Sequence, residues 1–326
     1  MSIRRSLVIL VAAIAVLLVA MGLPGCGGGK ASQSLVASPL VDEAAETPLF
    51  TFACIGDPHI GAPDEGYWMK AGRFAPSLLA NAVRDINKRG VDFTVVLGDL
   101  SQNDMLGQFK KAKSILDSLT APYIPIVGNH DNYKNNSFAY FRQVFGTTTE
   151  RYSWDHKGFH FVTAAADMPT AHDTVHWYDD NIKWVQDDLR KNASKPTILV
   201  THHNLFDYTD IWVQRAPRNS EAFRKVLEGE KNFVMSISGH AHRFRYRYTT
   251  AGYATIGATL VHPAKIMYYR VYRDRIISEP HTLSDSDLVR YVSALCPRYF
   301  RNNLEGKKGD QYYTVPVRIP PVTSTR

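Results

Sequence analysis

Residues 93–99 read FTVVLGD, an apolar run that ends in a glycine and an acid. The same layout occurs upstream in residues 50–57, FTFACIGD, and downstream in residues 123–131, YIPIVGNHD. Between these runs, residues 70–89 and 106–119 carry apolar side chains at helical spacing. Alternation of strands and helices in this manner favours βαβ units and a largely parallel sheet. The sequence therefore predicts a mixed α/β domain.

The second half of the chain is richer in strand patterns. Residues 151–165 have the pattern of a hairpin, residues 180–191 have helical spacing, and residues 197–201 and 233–238 are short apolar runs. The residues from position 302 onward are polar and contain proline. We therefore expect four parts, namely a signal peptide over 1–25, a flexible linker over 26–48, a folded domain over 49–300 and a C-terminal tail over 301–326.

The first residues of the chain have the layout of a secretory signal. Arg4 and Arg5 precede an uncharged apolar stretch over residues 7–23, and a small-residue exit follows. The exit resembles a bacterial lipoprotein signal, in which cleavage precedes the cysteine, here Cys26, and the cysteine receives lipid. The alternative is an uncleaved anchor, although the apolar stretch is at the short end for a spanning helix. Both interpretations predict an exported, membrane-tethered protein.

Composition excludes several classes of protein. Hydrophobic residues make up 44% and charged residues 21% of the 326 positions, which excludes a mainly disordered chain. The net charge of +7 includes no long Lys/Arg block, so no nucleic-acid partner is expected. Three cysteines are too few for a disulfide scaffold or a Cys-rich zinc module. A disulfide between Cys54 and Cys296 remains open, and so does the oligomeric state.

Polar residues follow five of the apolar runs, at the point where each predicted strand ends. Ligand sites in open α/β sheets gather outside the carboxyl ends of the strands, so these side chains could meet at one edge. Glycine opens four of the clusters and lets the backbone turn sharply as it leaves the strand. The clusters are Gly56-Asp57-Pro58-His59, Gly98-Asp99, Gly128-Asn129-His130-Asp131, Thr201-His202-His203 and Gly239-His240-Ala241-His242.

This set of side chains suits a pair of metal ions. Carboxylate, amide and imidazole ligands without thiolate favour Mn, Fe, Zn or related divalent ions. A carboxylate can bridge two ions, because it has two oxygens. Two ions about 3.5–4 Å apart can share a water, lower its pKa toward about 7 and stabilise an in-line displacement at phosphorus.

The five clusters, in this order and at strand ends, resemble those of the calcineurin-like metallophosphoesterase family. The resemblance covers about residues 50–275 and would make the chain a lipoprotein member of that family. It implies a four-layer α/β/β/α sandwich with two central sheets. It also implies two divalent metal ions and the hydrolysis of phosphomonoesters or phosphodiesters by a hydroxide that the metals activate.

The resemblance also assigns roles to individual residues. It places Asp99 between the two ions and His130 over the substrate, where His130 would stabilise the phosphoryl oxygens or protonate the leaving alkoxide. Asp131 would orient His130 by a hydrogen bond. The first ion would be held by Asp57, His59, Asp99 and His242, and the second by Asp99, Asn129, His202 and His240.

Other residues and functions stay open at this point. His203 follows the preferred ligand His202 and is a weaker candidate for substrate contact, as is Arg243 after His242. A non-catalytic metal-binding surface lipoprotein is one alternative function, and a nuclease of the same chemical class is another. The phosphoester itself, monoester or diester, is not determined by these residues.

Overall fold

The computed structural model describes residues 46–62, 69–132, 137–147, 150–166, 175–207 and 216–318. The predicted signal peptide, most of the predicted linker and Cys26 lie outside these residues. Among the described residues, no helix is both long and apolar enough to cross a bilayer.

Two six-stranded sheets form the centre of the fold. In the first sheet the order is β12-β11-β10-β1-β2-β3. Its strands are β1 Phe50–Ile55, β2 Phe93–Val96, β3 Tyr123–Pro125, β10 Lys265–Val271, β11 Arg275–Thr282 and β12 Thr314–Pro316. In the second sheet the order is β4-β5-β6-β7-β9-β8. Its strands are β4 Tyr152–His156, β5 Phe159–Thr163, β6 Thr197–Thr201, β7 Phe233–Ser238, β8 Arg245–Tyr248 and β9 Gly252–Thr255.

The sheets are mixed, which corrects the expectation of a largely parallel sheet. Strands β1, β2 and β3 are parallel, and so are β5, β6, β7 and β9. The flanking strands β10, β11 and β12 run antiparallel in the first sheet, as do β4 and β8 in the second. Short connections join β4 to β5, β8 to β9 and β10 to β11, and such connections produce antiparallel pairs.

Alternation along β1 shows how the layers form. Phe52 and Cys54 pack into a core with Phe161 and Ile237 of the second sheet, so these faces of the two sheets lie against each other. Ala53 and the other residues on the opposite face pack against helices, because successive strand side chains point to opposite faces.

Helices cover the outer face of each sheet and complete the α/β/β/α order that the resemblance implies. On the first sheet these are α1 Ala75–Arg89, α2 Leu106–Leu116, α3 Ala139–Phe145, α6 Ser286–Leu295 and α7 Arg298–Glu305. On the second sheet they are α4 Asp179–Lys191 and α5 Ser220–Gly229. A short helix, α8 Lys308–Gln311, precedes β12.

Part of the predicted C-terminal tail over 301–326 belongs to the folded domain, which corrects that expectation. After α7 and α8, strand β12 pairs with β11, and Val315 is fully buried in the core between the sheets. Residues 313–318 alternate between buried and exposed side chains. The missed signal is this period-two pattern, which is the pattern of an edge strand with one face buried. Residues 319–326 lie outside the described part of the chain.

Candidate metal centre

The polar residues that follow the strands of both sheets converge at one edge. Because β1, β2 and β3 are parallel, as are β6 and β7, the residues after their carboxyl ends emerge together. The two sheets are linked there, since Nδ1 of His202 lies 2.7 Å from the main-chain oxygen of Leu97. All seven predicted metal ligands join one contact network: Asp57, His59, Asp99, Asn129, His202, His240 and His242.

Asp99 lies at the centre of this network and has one oxygen in each half. Its Oδ2 atom lies 3.4 Å from Nε2 of His59, which in turn lies 2.9 Å from Nε2 of His242. Its Oδ1 atom lies 3.4 Å from Nε2 of His202. A carboxylate in this position can contact two ions at once. The geometry therefore suits the bridging position that the resemblance implies for Asp99.

The second half of the network surrounds Nε2 of His202. Oδ1 of Asn129 lies 3.0 Å from this nitrogen, and Nδ1 of His240 lies 3.2 Å from it. The other ring nitrogen of His202 contacts a main-chain oxygen, which leaves Nε2 as the nitrogen that faces the donors. A histidine ligand commonly makes such an outer contact through its second nitrogen.

Asp57 lies closer to the second half than its predicted place beside His59 and His242. Its Oδ1 atom is 3.3 Å from Nδ1 of His202 and accepts the main-chain N–H of His240 at 3.1 Å. Its Oδ2 atom is buried and has no hydrogen-bond partner among the described residues. Burial raises the pKa of Asp57, because the contacts with His202 and with the main-chain N–H of His240 only partly offset the lost solvation of the charge. An orphaned carboxylate oxygen of this kind fits a metal site.

The backbone at these residues is strained in a consistent way. Five predicted ligands have positive φ angles, a region that residues other than glycine seldom adopt. Such conformations cost about 1–3 kcal/mol each and cluster at functional sites. The five are Asp57 (38°), His59 (43°), Asp99 (48°), His240 (62°) and His242 (49°).

Two motif glycines are required by close packing against the carboxylates. A Cβ atom on Gly128 would lie 2.2 Å from Oδ1 of Asp99, and one on Gly239 would lie 2.7 Å from Oδ1 of Asp57. No side chain fits at either distance, so both positions need glycine. The glycines of these clusters thus hold the acids in place as well as turning the chain.

The imidazoles are held mainly in the form that binds metals. Burial lowers the pKa of His59, His240 and His242 well below the ordinary value, because the charged form loses its solvation. Neutral imidazole is the form that donates a lone pair to a metal. The three rings therefore need no deprotonation before they bind an ion.

Asp99 and His202 shift each other's pKa across a separation of 3.4 Å. Burial alone would raise the pKa of Asp99, but the neighbouring His202 and His130 hold it well below its usual range. Burial would likewise lower the pKa of His202, but Asp99 and Asp57 raise it well above the ordinary value. A divalent cation would replace the His202 proton as the charge partner of Asp99. The donor set therefore fits a pair of divalent ions with oxygen and nitrogen ligands.

His130 lies at the partly exposed rim of the network. Its ring is edge-on to that of His59, with 4.8 Å between ring centroids, and its main-chain N–H donates to Oδ1 of Asp99 at 2.9 Å. A side chain that is held by the site but reaches solvent can meet a substrate. This position agrees with the predicted role of His130, which stays a prediction.

Asp131 does not make the contact that the sequence predicts. Its buried carboxylate accepts the main-chain N–H groups of Ser101 and Gly128, both at 2.9 Å. Nδ1 of His130 lies 2.8 Å from the main-chain oxygen of Gln102. Asp131 therefore ties the loop after β3 to the loop after β2, and Gln102 makes the orienting contact with His130. Asp131 does not reach His130 because both of its carboxylate oxygens accept main-chain N–H groups, one of them from Gly128 in the same turn.

Lys70 and Gln102 contact the network, although the sequence motifs predict a role for neither residue. Lys70 is only 3% exposed, and its Nζ atom lies 3.4 Å from Nδ1 of His59 and 3.2 Å from Oε1 of Gln102. Burial lowers its pKa to about 8. Gln102 could have been noticed because it is three residues after Asp99. Lys70 was included in the predicted helix 70–89, but α1 begins at Ala75.

The two weaker candidates lie beside the network. His203 is buried, and its ring centroid is 4.3 Å from that of His240. It lines a small cavity together with Asn129, Phe138 and other residues. Arg243 is also buried, and its Nε atom donates to the main-chain oxygen of Ala241 at 3.1 Å. Their contacts with substrate stay predictions.

Comparison with known proteins agrees with this geometry. The model of the calcineurin-like phosphoesterase family matches residues 50–244, and this chain belongs to that family. The family consists of metal-dependent hydrolases of phosphoric esters with a dinuclear centre, which is the kind of centre that the described donor set fits.

Relatives and solved structures give the context. The chain is 25% identical over 184 residues to a probable glycerophosphodiester phosphodiesterase of Arcobacter nitrofigilis, covering 51% of this chain and 62% of that one. It is 24% identical over 207 residues to a 3′,5′-cyclic adenosine monophosphate phosphodiesterase of Haemophilus influenzae, covering 61% and 72%. A dimetal phosphatase from Danio rerio has the same fold, with a TM-score of 0.60, 17% identity and coverage of 72% and 96%.

The match spans only part of some relatives. It covers 13% of an uncharacterised protein of Bacillus subtilis to which the chain is 26% identical, and under two thirds of the Arcobacter protein. The family model establishes the family of this chain, but these partial matches do not establish its particular substrate.

Proposed function

We propose that this chain is a metal-dependent phosphodiesterase that holds two divalent ions, drawn from Mn, Fe and Zn. The observation that carries the proposal is the position of Asp99, with Oδ2 beside His59 and Oδ1 beside His202. One carboxylate shared between two groups of donors is the arrangement that a two-ion site needs.

The residues of the chain then divide the work between binding and proton transfer. Two divalent ions bound in this network would supply a water of lowered pKa and would neutralise charge at phosphorus. Asp99 and the imidazoles would hold the ions in fixed positions. Nδ1 of His130 is held by the main-chain oxygen of Gln102, so Nε2 is the ring nitrogen that can hand a proton to the leaving oxygen.

A small phosphodiester is the substrate class that we favour. The named activities of the Arcobacter and Haemophilus relatives are phosphodiester hydrolysis, of a glycerophosphodiester and of a cyclic nucleotide respectively. The net charge of +7 suits an anionic substrate, while the absence of a long basic block in the sequence argues against a nucleic acid.

A substrate panel tests the proposal. The full chain, purified in detergent, is stripped with a chelator and reloaded separately with Mn, Fe, Zn or Mg. A glycerophosphodiester, a cyclic nucleotide, p-nitrophenyl phosphate and duplex DNA are then assayed. We expect hydrolysis of at least one diester with at least one ion and none after chelation. Metal binding without any hydrolysis would instead identify a non-catalytic metal-binding protein, and strongly salt-dependent DNA cleavage would identify a nuclease.

We also propose that the protein is an exported lipoprotein anchored in a membrane through Cys26. The support is the sequence alone: Arg4 and Arg5, the apolar residues 7–23 and the cysteine that follows small residues. Such a location would present the centre to phosphoesters outside the cytoplasm.

A further inference from the structure

Lys70 is a buried cation at the edge of a network that already holds several imidazoles. It is 3% exposed, and its two side-chain contacts are with Nδ1 of His59 and with Oε1 of Gln102. Burying a lysine costs free energy unless a partner compensates. Neither contact is a carboxylate, and the charges of the nearby Asp99 and Asp57 offset only part of the cost. The position of Lys70 therefore calls for an explanation beyond stability.

The contact with Gln102 fixes the orientation of an amide. A lysine ammonium group can only donate hydrogen bonds, so the amide oxygen Oε1 must face Lys70. The amide nitrogen then faces the other way. It lies 3.2 Å from Nδ1 of His130. Since Gln102 is 5% exposed, its side chain has little room to turn around.

Two groups of Gln102 contact the same nitrogen of His130: its main-chain oxygen lies 2.8 Å from Nδ1, and its amide nitrogen lies 3.2 Å away. Nδ1 makes one of these hydrogen bonds at a time, since it donates to the oxygen when it carries a proton and accepts from the amide N–H when it does not. The main-chain N–H of Gln102 donates to the main-chain oxygen of Ile60 at 3.0 Å, which anchors the residue. The Nδ1 edge of the ring is thus directed at Gln102, and the Nε2 edge lies on the opposite side.

We propose that Lys70 and Gln102 are positioning residues for His130: Lys70 orients and anchors Gln102, and Gln102 sets the ring so that Nε2 meets the leaving oxygen of the substrate. This inference rests on the proposed function. In this role Lys70 would act through Gln102, by its hydrogen bond to Oε1 and by the contact of the amide nitrogen with Nδ1 of His130. Proton donation to the leaving group matters most for poor leaving groups, and this makes the role measurable.

The test compares two diesters that differ in their leaving group. One releases an alkoxide and needs a proton, and the other releases p-nitrophenolate and does not. The variants are Lys70→Met and Gln102→Met, alone and each combined with His130→Ala, in the metal-loaded full chain. Lys195→Met is the matched control, because Lys195 also contacts a side-chain amide oxygen at 3.2 Å, that of Asn192, at the amino end of β6.

We expect Lys70→Met to keep two ions and an unchanged KM. Its kcat should fall by about ten- to a hundredfold for the alkyl diester, the usual effect of losing an outer-shell contact, and by less than about threefold for the nitrophenyl diester. Gln102→Met should behave alike. In the His130→Ala background neither change should lower kcat further. Lys195→Met should match the wild type with both substrates.

Several outcomes would overturn the inference. Equal losses with both diesters, a fall in metal content, or an unreduced effect of Lys70→Met in the His130→Ala background would each assign Lys70 to the metal centre instead. If Lys70→Met does not fold, as judged by its melting curve, the Gln102→Met result decides alone. A wild-type protein that cleaves neither diester refutes the proposed function, whereas wild-type rates in both variants refute only the positioning role.

Discussion

Replacing Asp99 by Asn should weaken metal binding and hydrolysis together. The change keeps the shape of the side chain and one oxygen, but it removes the negative charge that lies between the two halves of the network. His59 and His202 each lie 3.4 Å from a different oxygen of this carboxylate. No other described residue has a carboxylate oxygen in contact with both halves, so the remaining donors cannot restore the bridge.

The size of the effect follows from these separations. The 3.4 Å separations join the carboxylate to imidazole nitrogens, and we take them as an upper limit for the distance from the carboxylate to a bound ion. At this distance and an effective dielectric constant of about 20, one unit of charge contributes about 5 kcal/mol. The retained amide oxygen still binds a cation, so we take about half of this value as the net loss. A loss of about 2.5 kcal/mol corresponds to roughly a hundredfold weaker binding of at least one ion.

Elemental analysis after dialysis against buffered metal measures this directly. Wild-type protein should retain two ions per chain, and Asp99→Asn should retain fewer and lose at least the same factor in kcat. Asp188→Asn is the control, because Asp188 is a buried carboxylate 2.6 Å from His160, at the opposite edge of the second sheet. Full occupancy with two ions in Asp99→Asn would refute the bridging position.

Four further changes test other parts of the molecule. His130→Ala should keep two ions and lower kcat by about 10²–10⁴ on an alkyl diester; wild-type turnover would refute its role. His160→Gln tests linkage: burial alone would lower the pKa of His160, but Asp188 and Asp155 raise it. The stabilisation is therefore complete below about pH 6.5 and lost as pH rises through the folded-state value, so the melting-temperature gap should be larger at pH 5.5 than at pH 9. Val315→Ala should cost about 1–3 kcal/mol in urea unfolding while Thr314→Ala, exposed on the same strand, costs little; equal losses would place β12 outside the core. Cys26→Ser should abolish incorporation of labelled fatty acid; unchanged labelling would exclude this cysteine as the lipid site.

Periodicity alone predicted most of the elements of the domain. The apolar runs predicted as strands at residues 49–55 and 93–97 correspond to β1 and β2, and the helix predicted over 180–191 corresponds to α4 Asp179–Lys191. These patterns are local, because burial of one face or both faces follows from neighbours in sequence. The pairing of β10 with β1 and of β12 with β11 was not predictable, since these pairings join residues far apart in the chain.

Motif residues were predictable for a different reason. A polar residue placed directly after a buried strand must emerge at a sheet edge, so Asp57, Asp99 and His202 could be expected to meet. The glycines before Asp57 and Asp99 also indicated that the chain turns sharply at these positions. The pairing of Asp131 with backbone N–H groups was not predictable, because it depends on how the loops after β2 and β3 lie against each other.

The sequence by itself determined which residue types lie at the site, because it sets the order of the polar residues that follow each strand. Only the tertiary structure decided which atoms face one another: that Asp99 divides its oxygens between two groups, and that Lys70 reaches His130 through Gln102. The physical reason is range. Strand and helix patterns arise from residues a few positions apart, whereas hydrogen bonds at a buried site join segments whose separation in the chain carries no periodic signal.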